Sequence, residues 1–162
     1  METTLEISKS QSGGIYMLYN LNSHRVYIGK THNFNHRSTT HKLNLKKNAH
    51  TNKDLQQDFN KGDNFAFVIL EDMGADFTDE QIRIKEKLYM YAFLDNYIKL
   101  YNKESREQLY QGLFGDVVRP QVQQIKRALR QSFGSNLSSL QYCSSDTLEW
   151  KFDKNNSAIV GA

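Results

Sequence analysis

The chain has a single cysteine, a single proline and a single tryptophan, and from Ile7 to Lys53 it has no acidic residue at all. The lone Cys143 excludes an intrachain disulfide and a four-cysteine zinc site. No stretch approaches the roughly 18 apolar residues that a membrane helix requires. The opening segment, Met1 to Ser12, is polar and lacks the apolar stretch of a signal peptide. The expectation is a cytoplasmic chain with no membrane partner. Internal repeats and low-complexity tracts are also missing.

What fills the acid-free stretch is basic. Lys9, Arg25, Lys30, Arg37, Lys42, Lys46, Lys47 and Lys53 all lie there, together with the five histidines His24, His32, His36, His41 and His50. The remainder carries 13 basic against 18 acidic residues, so a formal charge of +3 conceals a strong asymmetry. One basic face suits a polyanion, most simply nucleic acid. The plain alternative is a solvated basic face with no partner. At 162 residues and 38% hydrophobic, the chain can bury a core as one domain, or as one domain with an appendage.

Two tripeptides stand out, Gly14-Ile15-Tyr16 and Tyr27-Ile28-Gly29. Between them, Asn20-Leu21-Asn22-Ser23-His24 is rich in turn formers, so the pair reads as a β-hairpin from about Gly14 to Gly29. A helix over about Asn35 to Lys47 would align Arg37, His41 and Leu45 on one face. A second helix, Thr51 to Lys61, pairs Leu55 with Phe59 and stops at Gly62. The continuous apolar run Phe65 to Leu70 fits a central strand buried on both sides. Thr78-Asp79-Glu80-Gln81 reads as a capping box opening a helix to Tyr97.

Along that helix Ile82, Glu86, Tyr89 and Phe93 share a face, and Glu86 interrupts an otherwise apolar stripe. A carboxylate there is costly unless it is paired or coordinates a metal. The plain alternative is a Glu86 at the stripe edge that pairs with a neighbour such as Arg83. Beyond Asn102, Pro120 fits a helix first turn, with Val122, Ile125, Leu129 and Phe133 as an apolar stripe. Ser132 to Thr147 reads as loop, Leu148 to Phe152 as a half-exposed strand, and the last ten residues as frayed.

Gly14-Ile15-Tyr16, Tyr27-Ile28-Gly29, Arg37, His41, Glu86 and Asn102 together resemble the GIY-YIG nuclease domain, most closely that of phage intron homing endonucleases. His50 to Lys61 also resembles the family's segment between the catalytic helix and the third strand. The resemblance spans about Gly14 to Lys103. It implies an α+β fold, with a small mixed, mostly antiparallel sheet of about three strands flanked by helices. It divides the chain into an extension over 1–12, a nuclease-like domain over 13–103 and a C-terminal extension over 104–162.

The residue chemistry agrees with the resemblance. Arg37 is a planar fork suited to phosphate. Glu86 is a hard oxygen ligand for Mg²⁺ (or Mn²⁺), an ion that keeps most of its waters and takes few carboxylates. A tyrosine becomes a useful base only once its pKa is lowered, and the cations around it are expected to do that. The resemblance implies Tyr16 as general base with His41 as its proton partner, and Tyr27 as a phosphate or water ligand. Lys30 would stabilise phosphate, His50 would support catalysis, and Asn102 would orient the site from the domain's last strand. Without the resemblance, the two tyrosines read first as strand aromatics in a core.

The implied activity is divalent-metal-dependent cleavage of DNA by an enzyme of a phage or mobile element. A restriction- or repair-type nuclease shares the same centre, and a catalytically weak DNA-binding module is the alternative of another class. Cutting both strands from one centre calls for a homodimer or two sequential events. The tail helix with Lys126, Arg127 and Arg130 either enters a DNA groove or packs its apolar face on the domain or a second subunit.

Overall fold

The computed structural model describes residues 12–113, 119–133, 151–153 and 158–160. Strand β1 (Gly13–Asn20) pairs antiparallel with β2 (Val26–Thr31) through a five-residue turn, in a register that sets Tyr16 opposite Gly29. On its other edge β1 pairs antiparallel with β3 (Phe65–Gly74). Short strands β4 (Lys151–Asp153) and β5 (Ala158–Val160) extend the sheet beyond β3, giving the order β2-β1-β3-β4-β5. Every named pair is antiparallel; the parallel contribution is an isolated bridge between Val26 and Leu100. Asn102 therefore follows a bridge rather than lying on a last strand.

The helices sit where caps and periodicity place them. Asn33 caps α1 (Phe34–Lys46) and Asn52 caps α2 (Lys53–Asn60), each accepting a backbone N–H of the first turn. Thr78 and Gln81 form the expected reciprocal box at the start of α3 (Asp79–Asp95). Ser105 and Gln108 repeat the device at α4 (Arg106–Gly112), and Pro120 lies in the first turn of α5 (Arg119–Phe133). Gly62 stops the chain after α2 with φ of 104°.

Because all eight residues of β1 are buried, the sheet separates two apolar clusters. Ile15, Met17 and Tyr19 meet Ala66, Val68 and α3 residues Ile82, Tyr89 and Phe93 on one face. Tyr16 and Leu18 meet Phe34, Leu45, Leu55, Phe65 and Phe67 on the other. Alternation along a strand explains why Ile15 and Tyr16 point to opposite layers. Phe65 to Val68 supplies both clusters, as its continuous apolar character requires.

Leu109, Leu113, Val122 and Leu129 join the first cluster, so α4 and α5 cover the outer side of α3. Lys126 and Arg106 both bond Asp95 near the end of α3, Arg106 at 2.6 Å. The tail helix thus packs its apolar face on the domain, and Lys126 is engaged there rather than free for a DNA groove. Arg127 and Arg130 remain exposed. The expected strand near Leu148 appears in part as β4, and its first residues lie outside the described residues. Most of the expected loop 132–147 is also outside them, although Ser132 and Phe133 belong to α5. The supposedly frayed end contributes β5. Among the described residues no helix is long and apolar enough to cross a membrane.

Candidate active site

The two tripeptides meet across the β1–β2 register, and glycine is what lets them meet. A methyl group at Gly29 would sit 2.3 Å from the Tyr16 hydroxyl oxygen, so the Tyr16 ring lies over bare backbone. Gly14 adopts φ of 152°, and a Cβ there would lie 2.1 Å from the Glu71 carbonyl oxygen. The second tripeptide is held from the far side by Asn102. Its amide accepts the Ile28 N–H at 2.9 Å and donates to the Ile28 carbonyl at 2.8 Å, clamping the backbone between Tyr27 and Gly29.

Tyr16 is 2% exposed, stacked on Phe67 at 4.7 Å, with its hydroxyl 2.6 Å from His41 Nε2. His41 Nδ1 is 2.8 Å from His50 Nε2, and His50 Nδ1 accepts the Asn52 N–H at 3.0 Å. Tyr27 lies edge-on to both imidazoles, at 5.7 Å from His41 and 6.0 Å from His50. Gln56 anchors this row by accepting the His50 N–H at 3.0 Å and donating to the Leu45 carbonyl.

The protons in this row follow from one backbone group. An amide N–H can only donate, so His50 Nδ1 must carry a lone pair and its proton sits on Nε2. That proton faces His41 Nδ1, which must then accept, so the neutral His41 carries its proton on Nε2 and donates it to Tyr16 Oη. Burial holds His41 neutral, lowering its pKa from 6.5 to about 3, with further depression from His50 and Arg37. Burial also lowers His50. His41 therefore supplies a hydrogen bond to the Tyr16 oxygen and does not stand ready to take its proton, a reversal of the direction that proton partnership suggested.

Burial decides the Tyr16 pKa too. It is raised well above the ordinary value, first by burial and next by Tyr27; Arg37 lowers it and Glu86 raises it. Tyr27 is raised as well, by burial and Glu86, again against Arg37. The expectation that the basic cluster brings a tyrosine pKa down is thus incorrect for the free protein: Arg37 acts in that direction and is outweighed.

Across the cleft, Glu86 on α3 reaches Lys30 of β2 at 3.5 Å. Arg83 is not its partner; that guanidinium pairs with Glu80 at 2.5 Å. Burial raises the Glu86 pKa, with Lys30 opposing. Arg37 is exposed on the first turns of α1, near enough to bias Tyr16, Tyr27 and His41, yet no carboxylate lies within ion-pair distance of it among the described residues. A cation left open beside two tyrosines and a carboxylate is built to meet an anion.

Tyr16, Tyr27, Lys30, Arg37, His41, His50 and Glu86 are therefore brought together, and Asn102 supports them from behind the strand. Asn52, Gln56 and Phe67 were missed as supporting residues. Asn52 acts through its backbone, which no side-chain pattern reveals, and the expected helix start at Thr51 placed it inside the helix rather than at its N-cap. Among the described residues no three acidic, histidine or cysteine side chains form a metal cage. Glu86 is a hard-oxygen ligand, and a single carboxylate suits a Mg²⁺ ion that retains most of its waters.

The GIY-YIG catalytic domain model matches residues 12–103. Among solved structures, the catalytic domain of homing endonuclease I-TevI is similar at 30% identity with a TM-score of 0.50, covering 57% of this chain and 99% of that one. A mutant form of the catalytic domain of intron endonuclease I-TevI is similar at 30% identity and 0.49, covering 56% and 92%. No sequence match emerged among curated proteins. With the matched segment holding both tripeptides, Arg37, His41, Glu86 and Asn102, this chain belongs to the GIY-YIG nuclease family.

Proposed function

We propose that the chain is a Mg²⁺-dependent DNA endonuclease of the homing kind, from a phage or mobile element, hydrolysing a phosphodiester at the cleft between β2, α1 and α3. The observation that carries the reading is the convergence of Tyr16, Tyr27, His41 and Glu86 on an Arg37 that has no carboxylate partner among the described residues. The acid-free basic stretch supports DNA as the polyanion.

The scissile phosphate takes its place against Arg37, whose fork holds two non-bridging oxygens as charge builds at phosphorus. Lys30 turns from Glu86 to the same phosphate and leaves the carboxylate for the metal. Bound at Glu86, Mg²⁺ would supply positive charge to the phosphate and lower the pKa of a coordinated water. Tyr16 is the base. Its oxygen receives the His41 Nε2–H, which favours the phenolate. Tyr27 orients the water or phosphate from beside the imidazoles. Because burial raises the Tyr16 pKa, only a small phenolate fraction exists at neutral pH, and the rate should climb as pH rises.

Incubating plasmid and phage genomic DNA with purified protein and Mg²⁺, then sequencing the ends, tests the reading. Cuts at a few sites per genome are expected. A fixed short site would instead favour the restriction-type reading, and intact DNA in the presence of Mg²⁺ or Mn²⁺ would refute nuclease activity.

A further inference from the structure

One exposed ring next to the cleft is held more rigidly than its surroundings require. His32 follows β2 directly, and its side chain is 57% exposed. Even so, its Nε2 lies 2.8 Å from Asp79 Oδ1, and one face of the ring stacks on Phe77 at 4.6 Å with only 13° between planes. An exposed aromatic ordinarily keeps its rotamer freedom, and fixing it costs entropy. Here the edge is fixed by α3 and the lower face by the loop before it, which leaves the second face open.

That ring lines a cavity of about 300 Å³ with Lys30, Arg37, Asp79, Ile82 and Arg83; Phe77 supports it from outside the lining. The volume lies at the lower end of ligand pockets. Lys30 and Arg37 belong to this cavity and to the active site alike, so the two are continuous. Three cationic side chains, of which Lys30 and Arg83 already pair with Glu86 and Glu80, stand beside Asp79, one apolar side chain and a fixed aromatic plane, and these match the parts of a nucleotide: phosphate, sugar and base. Stacking on an aromatic ring tolerates any base, because every base has a π-face.

We propose that this cavity is a subsite for the nucleotide adjoining the scissile phosphate, with its base stacked on the open face of His32 and its own phosphate near Arg83 and Lys30. The proposal rests on the nuclease reading. It means that the strand being cut is partly unstacked at the cleft, and that His32 contributes to substrate binding with little demand on base identity.

The test uses duplex oligonucleotides around a mapped cut site, each with an abasic residue at one position flanking the cut, and measures KM and kcat with the full chain. For the native protein, one flanking abasic position should raise KM about 5- to 20-fold. His32→Ala should raise KM similarly on intact duplex and lose sensitivity to that abasic position, with kcat nearly unchanged. His32→Tyr should restore both. If His32→Ala cuts intact duplex with native KM, or responds to abasic residues as the native protein does, the subsite is refuted while the nuclease reading stands. If the native protein cuts no duplex at all, the nuclease reading itself falls. A matching melting temperature for His32→Ala confirms that a KM change reflects the lost ring.

Discussion

Tyr16 shows how one backbone amide can set the direction of a proton network. The Asn52 N–H fixes the His50 tautomer, His50 fixes His41, and His41 donates to Tyr16. Replacing Tyr16 with Phe should cost about 10²–10⁴ in cleavage rate, the usual contribution of a general base, with the fold intact. His50→Ala should cost less, because His41 then loses only its orientation; a larger loss than in Tyr16→Phe would contradict the order of the row. Single-turnover rates on one plasmid substrate measure both. The buried imidazole also makes stability depend on pH. His41 has a folded pKa of about 3 against an ordinary 6.5, so its folded form is the neutral one. Below pH 6.5 the unfolded chain binds the proton and the folded chain does not. Stability is fully present above 6.5 and falls by roughly 1.4 kcal/mol per pH unit from this residue alone as pH drops towards 3. Urea titrations at pH 7 and pH 5 would show the loss, and equal stability at both would oppose a buried neutral His41.

The β1–β2 hairpin is the element on which the cleft depends, and its glycines Gly14 and Gly29 have different tasks. Gly29 leaves room for the Tyr16 ring, whereas Gly14 permits a backbone conformation against Glu71. Gly29→Ala should displace Tyr16 from His41, lower stability by about 1–3 kcal/mol through overpacking, and abolish most cleavage. A variant with native melting temperature and native rate would contradict that placement. Much of this element was legible in advance: turn formers between two apolar-aromatic runs dictate a hairpin, and the Thr78 box dictates where α3 begins. The face shared by Arg37, His41 and Leu45 was equally plain from helical spacing, and burial grades along it from exposed Arg37 to buried His41 and Leu45. What stayed hidden depends on contacts between elements. Nothing local in the chain says that Glu86 would meet Lys30 of β2 rather than Arg83 one turn away. Nor does spacing reveal that burial outweighs Arg37 in setting the Tyr16 pKa.

Taken whole, the molecule is a sheet whose Glu86-bearing helix α3 is gripped from both sides. Its inner side presents Ile82, Glu86 and Phe93 to the sheet and cleft, and its outer side is covered by α4 and α5. Leu129 of α5 is 6% exposed in that outer layer, so Leu129→Ala should destabilise the fold by about 2–5 kcal/mol. Cleavage at a temperature where the variant stays folded should be nearly native, because among the described residues no α5 side chain lines the cleft. Thermal melts and plasmid assays on the same preparation separate the two effects. The most direct measurement is Mg²⁺-dependent plasmid cleavage by the native chain beside Arg37→Ala and Glu86→Ala, with thermal melts to confirm folding. The native chain should cut, and each variant should fall by at least about 10²-fold, since each removes charge stabilisation at the phosphate. Undiminished cutting by both folded variants would place the chemistry somewhere other than this cleft.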